Sequence, residues 1–305
     1  IRRSEALHQH ILALRSAEDF FDQAPYVQRW QPHFEALGSS VNPGAEQEIE
    51  TLFFDAIDAD DVVAEDLWVK ISWLSFYDGD KSLRLRFSFG IDHEEDVALD
   101  PSRQQYAADL ADALFPESNM IVRNKALLQN LQEQLGTSDL NFVERIVYFN
   151  APNGGAYLHH DLERGHAGVV YLQASGETLW LALPKLTLMA EITSFIKTLV
   201  HTDQWPSLIS ATDRDHLIAL ANDPMALDAA LNSFDDDALI HLINETSEFI
   251  QNLIERGYSY HLKPGDAIVL PQETSSDAES HNCCWHSVFT LGEHTGQGLS
   301  FAIRV

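Results

Sequence analysis

The sequence lacks any run of about 18 consecutive apolar residues, which excludes a membrane-spanning helix of the usual kind. Its first residues are polar and show no signal-peptide pattern. It has only two cysteines, Cys283 and Cys284, and neighbouring cysteines close a disulfide only with strain. Without a leader pattern or a disulfide framework, the sequence predicts a protein of the reducing cytoplasm.

Basic residues are also scarce, since 19 Lys and Arg face 47 Asp and Glu, for a formal net charge of −28. A surface this acidic repels phosphate backbones, so nucleic acid is not expected as a partner. It would attract a cationic substrate or a basic protein, although solubility or salt adaptation accounts for the same charge. With 305 residues, 45% of them hydrophobic, the chain is long enough for one large domain or two small ones.

The N-terminal half predicts a mixed α/β region. Apolar spacing indicates helices over 4–22, 101–115 and 124–136, and a helical or mixed segment over 47–65. Residues 67–76 and 82–90 predict two strands joined by a tight turn at Asp78-Gly79. In the second strand, apolar residues alternate with Arg84, Arg86 and Ser88, a pattern typical of a half-buried strand.

The C-terminal half predicts strands, then a helical block, then strands again. The strand-like runs are 145–150, 167–173, 178–183, 258–262, 267–271, 286–291 and 299–305. A helical insertion of about 70 residues over 186–256 is too long to be a simple loop. This order suits an antiparallel barrel or jelly roll. We expect two parts: 1–140, which flanks or extends the barrel, and 141–305, the barrel with its insertion.

A candidate metal site follows the strand over 145–150 and its glycine-rich loop. In extended chain, residues i and i+2 point to the same side, so His159 and Asp161 can face one ion while His160 faces away. His286, at the start of a later apolar strand, can supply a second imidazole. Two His and one carboxylate form the facial triad of non-haem Fe(II) oxygenases, with coordination positions left open.

A compact zinc site is an alternative use of the same region. His281, Cys283, Cys284 and His286 carry ligands that zinc prefers. The segment has neither the CxxC spacing nor a second cysteine pair, which favours the triad. His166 and His294 are expected to be polar loop residues, although His166 lies close to Asp161 in the chain.

Two stretches resemble Jumonji-C-type and related cupin oxygenases. The first, AYLHHDLERGHAGVVYLQASGETLWLALP, has their H-x-D, strand, small-Gly turn and aromatic strand ending in Pro. The second has Gly265-Asp266, Pro271 and Trp285-His286-Ser287-Val288 in the family's order. The resemblance covers about 145–185 and 257–305. It implies a double-stranded β-helix core, mainly β with α, with N-terminal helices and a helical insertion. It also implies a site for Fe(II), 2-oxoglutarate and O₂ on His159, Asp161 and His286.

The chain departs from the Jumonji-C pattern at the co-substrate anchor. Ala156 stands where that family usually has Thr, and 176–180 contains no basic residue where it has Lys. Related oxygenases place an anchoring Arg on the last strand, which points to Arg304, 18 residues after His286. Alternation puts Ser300 on the same face as Arg304. Tyr148, Tyr157 and Thr178 are candidates for further hydroxyl contacts.

The resemblance implies a hydroxylase of a peptide or protein side chain or of an amino-acid-like metabolite. Two alternatives stay open: a metal-dependent cupin oxygenase that does not use 2-oxoglutarate, and a non-catalytic metal- or ligand-binding cupin. The insertion is expected to cover the barrel mouth, to form a homodimer face, or both.

Overall fold

The structure is a computed structural model that describes residues 2–13, 15–41, 48–74, 79–91, 97–161, 166–233, 235–272 and 283–304. The helices of these residues are α1 Arg2–Leu12, α2 Ala17–Phe21, α3 Val27–Trp30, α4 Pro101–Leu114, α5 Met120–Arg123, α6 Lys125–Leu135, α7 Lys185–Thr202, α8 Ala211–Asn222, α9 Pro224–Ser233, α10 Asp237–Ile240 and α11 Ser247–Glu255. Short 3-10 turns span Val97–Leu99 and Pro116–Asn119, and one π-helical turn spans His241–Glu245.

The strands fall into two antiparallel sheets. They are β1 Phe34–Val41, β2 Glu48–Asp58, β3 Asp61–Trp73, β4 Leu83–Phe89, β5 Asn141–Asn150, β6 Gly155–His159, β7 His166–Ser175, β8 Glu177–Pro184, β9 Ser259–Leu262, β10 Ala267–Pro271, β11 Cys284–Leu291 and β12 Gly296–Arg304. The larger sheet has the order β1-β2-β3-β4-β5-β12-β7-β10, and the smaller has β6-β11-β8-β9.

The last eight strands form a double-stranded β-helix. Strands β5, β12, β7 and β10 lie side by side in the larger sheet, and β6, β11, β8 and β9 make up the smaller one. The chain passes from one sheet to the other between β5 and β6, β6 and β7, and β7 and β8, and again after β9. At the β7–β8 crossing a single residue, Gly176, turns the chain with φ +72, a conformation that favours glycine. The expected fold class, a cupin-type β core with helices and a helical insertion, is confirmed.

The N-terminal strands extend the larger sheet, because β4 pairs with β5. The helical part of the prediction for 47–65 is wrong: this segment forms β2 and the start of β3, which pair with each other. Its buried residues Leu52, Phe54 and Ala56 alternate as a strand requires. The predicted turn residue Asp78 lies outside the described residues, although the two strands that it joins do pair. The boundary at residue 140 stays a prediction.

The helical insertion has its own core. Helices α7 to α11 occupy the connection between β8 and β9, as expected. Their buried residues pack with Leu181 and Leu183 of β8 and Trp285 of β11 in one apolar cluster. Helix α8 begins with a capping box between Ser210 and Asp213, which satisfies backbone N–H groups of its first turn. Among the described helices, none combines the length and the apolar composition needed to cross a bilayer.

Candidate metal centre

Strands β6 and β11 bring the two predicted imidazole ligands together. They pair antiparallel, and His159 at the end of β6 lies directly opposite His286 near the start of β11. Asp161 follows two residues after His159, where β6 has ended. Cross-strand neighbours have Cβ atoms about 5 Å apart. The pairing therefore places residues 127 positions apart in sequence within reach of one ion.

The three side chains converge with the geometry of a metal triad. The Nε2 atom of His159 lies 3.5 Å from Oδ1 of Asp161, and Nε2 of His286 lies 3.3 Å from Oδ2 of the same carboxylate. One donor atom from each residue lies within 4.8 Å of the others. Bonds of about 2.1 Å at right angles place neighbouring donor atoms about 3 Å apart. The donor set and its spacing thus fit one divalent metal ion.

The three side chains of the triad differ in exposure: His286 is buried in the protein, whereas His159 and Asp161 are partly exposed. The side chain of His286 is 3% exposed, whereas those of His159 and Asp161 are 34% and 42% exposed. A bound ion would therefore meet protein on one side and the pocket on the other. That asymmetry is what a metal needs if it is to keep positions open for ligands.

Contacts behind the ligands hold both rings in place. Nδ1 of His159 lies 2.6 Å from the carbonyl oxygen of Tyr157, which leaves Nε2 to face the metal position. The indole of Trp180 stacks on His286 at 5.5 Å between ring centroids and 17° between planes. Its Nε1–H in turn donates to Oγ1 of Thr178 at 3.0 Å. Both rings are therefore oriented before an ion arrives.

The electrostatics of the triad follow from the packing of one carboxylate against two imidazoles. Burial alone would raise the pKa of Asp161, but His286 and His159 hold it well below its usual range. Burial would lower the pKa of His159, but Asp161 raises it above its ordinary value. Burial and the neighbouring His159 lower the pKa of His286. At neutral pH the Asp161 carboxylate is thus charged, and His286 is an uncharged imidazole that can coordinate a metal ion.

The triad lies in a pocket of about 350 Å³ between the two sheets and the helical insertion. Its walls are formed by the triad and by Leu74, Arg84, Tyr148, Asn150, Ala156, Tyr157, Val169, Tyr171, Trp180, Ile240, Asn244, Leu270, Val288 and Ser300. Most of the walls are apolar or aromatic, with a few polar groups, as is usual in small-molecule sites.

Arg84 is the only Lys or Arg among the described residues that line this pocket. It lies on β4, directly opposite Tyr148 of β5. Its Nε donates to Oγ of Ser72 at 2.9 Å, which fixes one edge of the guanidinium. The sequence analysis placed Arg84 on the polar face of a half-buried strand and did not predict its position in the pocket, because that position depends on β4 pairing with β5 of the barrel sheet.

Hydroxyl and amide groups line the pocket beside Arg84. The hydroxyl of Ser300 donates to Oη of Tyr148 at 3.2 Å, and Nδ2 of Asn150 donates to Oη of Tyr171 at 3.0 Å. Burial raises the pKa of Tyr148 to about 12, with the charge of Asp161 adding to the shift. Burial likewise raises the pKa of Tyr171. Both phenols are therefore neutral hydrogen-bonding groups at neutral pH.

Only some of the residues predicted to bind the co-substrate line the pocket. Tyr148, Tyr157 and Ser300 line the pocket, whereas Thr178 and Arg304 are not among its lining residues. Thr178 lies behind the wall, where its Oγ1 donates to Oε1 of Gln173 at 2.7 Å. Arg304 lies at the end of β12, opposite Asn141 and four residues beyond Ser300, or about 13 Å along the strand. Arg304 and Thr178 are therefore not part of the lining of this pocket, and their expected part in co-substrate binding stays a prediction.

The zinc alternative gains no support from the described residues. Cys283 and Cys284 are both free, and Cys283 is packed into the core of the insertion. His286 directs its Nε2 toward Asp161. His281, the remaining ligand of that alternative, lies outside the described residues, as does the side chain of His166. His294 is exposed.

Comparisons with known proteins give only distant likenesses. No family model matches the chain, and no curated protein matches it. Among solved structures, it is similar to KdgF from Halomonas sp., at 11% identity and a TM-score of 0.22, over 55% of this chain and 74% of that one. It is also similar to YcfD of E. coli, at 12% identity and a TM-score of 0.29, over 95% of this chain and 53% of that one.

Other YcfD structures match at similar levels. One, described as a ribosomal oxygenase in complex with cobalt and 2-oxoglutarate, matches at 11% identity and a TM-score of 0.28, over 94% of this chain and 51% of that one. This chain thus spans about half the length of YcfD. These likenesses are too weak to assign an activity.

Proposed function

We propose that the chain is an Fe(II)- and 2-oxoglutarate-dependent oxygenase, most simply a hydroxylase. The observation that carries this proposal is the convergence of His159, Asp161 and His286 in a pocket whose wall also carries Arg84. Two imidazoles and one carboxylate, open on one side, are the ligand set of non-haem iron oxygenases. Iron bound there would couple the oxidative decarboxylation of 2-oxoglutarate, to succinate and CO₂, to oxidation of a substrate by O₂.

Arg84 supplies the charge that a dicarboxylate co-substrate needs. An Arg that lines a largely apolar pocket and donates its Nε–H to a neutral hydroxyl is well suited to a carboxylate ligand. The neutral phenol of Tyr148, which lies opposite Arg84, accepts from Ser300 and keeps its own proton to donate. In this proposal, Arg84 and Tyr148 together take the place that Arg304 was expected to fill.

The substrate is proposed only by class. A peptide or protein side chain, or an amino-acid-like metabolite, fits a pocket of about 350 Å³ that opens at its mouth. The net charge of −28 favours the approach of a basic protein or cationic substrate and disfavours nucleic acid. A cytoplasmic location and a homodimer through the helical insertion also stay predictions.

A second candidate is a metal-dependent cupin enzyme that does not use 2-oxoglutarate. It is favoured by one observation: within the described residues, β5 to β12 contribute no Lys or Arg to the pocket. If Arg84 holds a substrate carboxylate instead, the same site would perform metal chemistry without a 2-oxo acid. A non-catalytic metal-binding cupin would retain the ion but have no turnover.

Succinate formation tests the proposal. The full chain is incubated with Fe(II), ascorbate, O₂ and 2-oxoglutarate, and 2-oxoglutarate binding is measured separately with Mn²⁺ in the absence of O₂. We expect succinate release above that of a His159→Ala variant. We also expect Arg84→Ala to weaken 2-oxoglutarate binding at least about tenfold, the scale of a lost charge-assisted hydrogen bond.

Arg304→Ala is the matched control, since it removes the same side chain from outside the pocket. Its affinity for 2-oxoglutarate should stay near that of the unaltered protein. Loss of binding in Arg304→Ala but not in Arg84→Ala would reverse the anchor assignment. Bound metal without 2-oxoglutarate binding or succinate would favour the second candidate.

A further inference from the structure

The helical insertion reaches the metal-bearing strand through two hydrogen bonds. In both, a residue of the π-helical turn His241–Glu245 is the acceptor, and the donors are the two residues of β6 that precede His159. Oδ1 of Asn244 accepts the backbone N–H of Leu158 at 2.7 Å, and the hydroxyl of Tyr157 donates to Oε1 of Glu245 at 3.1 Å. π-helical turns are rare in proteins, and those that occur are often found at functional sites. The insertion therefore forms part of the pocket.

Asn244 has one buried polar atom to which no described residue is hydrogen-bonded. The residue is 7% exposed and lines the metal pocket. Its Nδ2 is buried and has no hydrogen-bond partner among the described residues. A buried amide N–H without an acceptor costs about 1–3 kcal/mol, so such groups are generally satisfied by water or by a ligand.

The orientation of this amide is fixed by chemistry. The backbone N–H of Leu158 can only donate, so the atom of Asn244 that meets it must be the carbonyl oxygen. The NH₂ group is then the unused end of the side chain. Rotating the amide by half a turn would bring two donors together and lose the 2.7 Å hydrogen bond. The unused hydrogen-bonding capacity of Asn244 is thus that of a donor, and not of an acceptor.

An uncharged partner suits Asn244. Ile240, one turn earlier in the insertion, is also part of the pocket lining; most of the other lining residues are apolar or aromatic, and the acidic one, Asp161, is a member of the metal triad. Glu245 lies outside the lining and is engaged by Tyr157. Arg84, which also lines the pocket, lies on β4, in a different element. A neutral carbonyl oxygen satisfies Nδ2 without burying a second charge.

We propose that Asn244 is a specificity-determining residue that donates a hydrogen bond from Nδ2 to an amide carbonyl of the substrate. The substrate class is accordingly a compound with a peptide-type carbonyl close to the oxidised position, such as a peptide segment or an acylated amino acid. This inference rests on the proposed function, because it takes the triad as the reaction centre. Since Asn244 is bound to Leu158, the neighbour of His159, it fixes the substrate relative to a metal ligand.

Binding without turnover tests this assignment. The full chain is loaded with Zn²⁺, which has no redox chemistry, and with 2-oxoglutarate. The probes are single amino acids capped as N-acetyl, N-methylamide derivatives and covering the natural side chains. Matched amines that lack both carbonyls serve as control probes. Affinities are measured by calorimetry, and the side-chain NH₂ signals of the protein are followed by NMR with ¹⁵N-labelled asparagine.

Asn244→Asp is the informative variant. It keeps an oxygen for the N–H of Leu158 and replaces the Nδ2 donor with an acceptor of the same shape. We expect at least one capped amino acid to bind and to shift the Asn244 NH₂ signal, which is identified by its absence in this variant. We expect Asn244→Asp to weaken that probe at least about tenfold while Zn²⁺ and 2-oxoglutarate affinities change little. Asn222→Asp, the same change at an exposed residue of α8, should behave like the unaltered protein.

The failures can be told apart. If no probe binds, or if a probe binds without shifting the Asn244 signal or with equal affinity for Asn244→Asp, the inference is wrong and Nδ2 is satisfied by water. If neither Zn²⁺ nor 2-oxoglutarate binds the unaltered protein, the proposed function itself fails. If Asn244→Asp does not fold, the Asn244 NH₂ signal is identified instead by its nuclear Overhauser effect to the backbone N–H of Leu158, which binds the same amide, so the NMR measurement on the unaltered protein still decides the matter.

Discussion

His159 and His286 are direct partners across the β6–β11 pair, with ring centroids 4.3 Å apart and planes tilted by 50°. Side chains this close in a cross-strand pair usually interact with each other. Here both rings also turn their Nε2 atoms toward the carboxylate of Asp161. The register of one strand pair therefore sets the geometry of the whole candidate metal centre, and the first prediction concerns its ligands.

Removing one ligand of the triad should greatly weaken metal binding. His159→Ala or Asp161→Ala leaves only two donors, and the affinity for Co²⁺ should fall at least about 100-fold, since each ligand contributes several kcal/mol. Co²⁺ binding is followed by its visible absorption and by metal content after gel filtration. His216→Ala is the control, because His216 is a partly exposed histidine that pairs with Asp236 in the insertion. Equal loss in that variant would argue against a specific site.

Metal affinity should fall as the solution becomes more acidic. Metal binding requires the imidazoles to be deprotonated. Asp161 raises the pKa of His159, so the proton competes with the ion at a higher pH than for an ordinary histidine. The pKa of Asp161 lies well below its usual range, so this carboxylate does not contribute to the loss near neutrality. The affinity should be highest above the raised pKa of His159 and should decrease as the pH falls through it.

A Co²⁺ titration repeated from about pH 8 down to about pH 5.5 measures this dependence, a range that spans histidine titration. An affinity that stays constant over that range would show that no titrating imidazole is a ligand.

The Gly155→Ala substitution should disturb the triad, although Gly155 lies four residues before His159 on β6. A Cβ at this position would lie 1.9 Å from the backbone carbonyl oxygen of Val288, so β6 and β11 could not keep their spacing. Gly155→Ala should destabilise the protein by about 1–3 kcal/mol, as overpacking does, and should weaken Co²⁺ binding as well. Denaturant unfolding and Co²⁺ titration test the two effects. Unchanged Co²⁺ affinity in a folded variant would contradict the importance of the β6–β11 register.

Thr178 should stabilise the metal centre from behind rather than bind the co-substrate. Its Oγ1 accepts from Trp180 and donates to Gln173, and the residue is fully buried. Thr178→Val should lower the free energy of unfolding by about 1–3 kcal/mol, because the indole N–H loses its acceptor. Thr198→Val, on an exposed position of α7, is the matched control. An effect on 2-oxoglutarate affinity with no loss of stability would instead place Thr178 in the co-substrate site.

The sequence predicted the parts of the site that are local in the chain. The H-x-D spacing places His159 and Asp161 on one side of the chain, because side chains alternate along a strand, and His286 was recognised by its position on a later apolar strand. The β6–β11 pairing that brings His286 to the other two is long-range. The helical insertion was also evident from its apolar spacing. In contrast, residues 47–65 were misread because acidic side chains flank their buried positions and obscure the alternation of β2.

Arg84 and Arg304 show what alternation does not reveal. The polar face of β4 looks solvent-exposed in isolation, but the pairing of β4 with β5 turns Arg84 into the metal pocket. On β12, alternation grouped Arg304 with Ser300, but the register shifts between Phe301 and Ala302 and again between Ile303 and Arg304. Such irregularities re-aim the side chains that follow them. Long-range strand pairing, and not the local pattern, decides which Arg lies at the site.

Anomalous diffraction from crystals of the full chain, soaked without O₂ in Co²⁺ and 2-oxoglutarate, measures the central claim directly. We predict one strong cobalt peak about 2.0–2.2 Å from Nε2 of His159, Nε2 of His286 and a carboxylate oxygen of Asp161, the bond lengths typical of such ligands. A cobalt ion bound at the cysteine pair, or a pocket in which these three side chains do not share one ion, would contradict it.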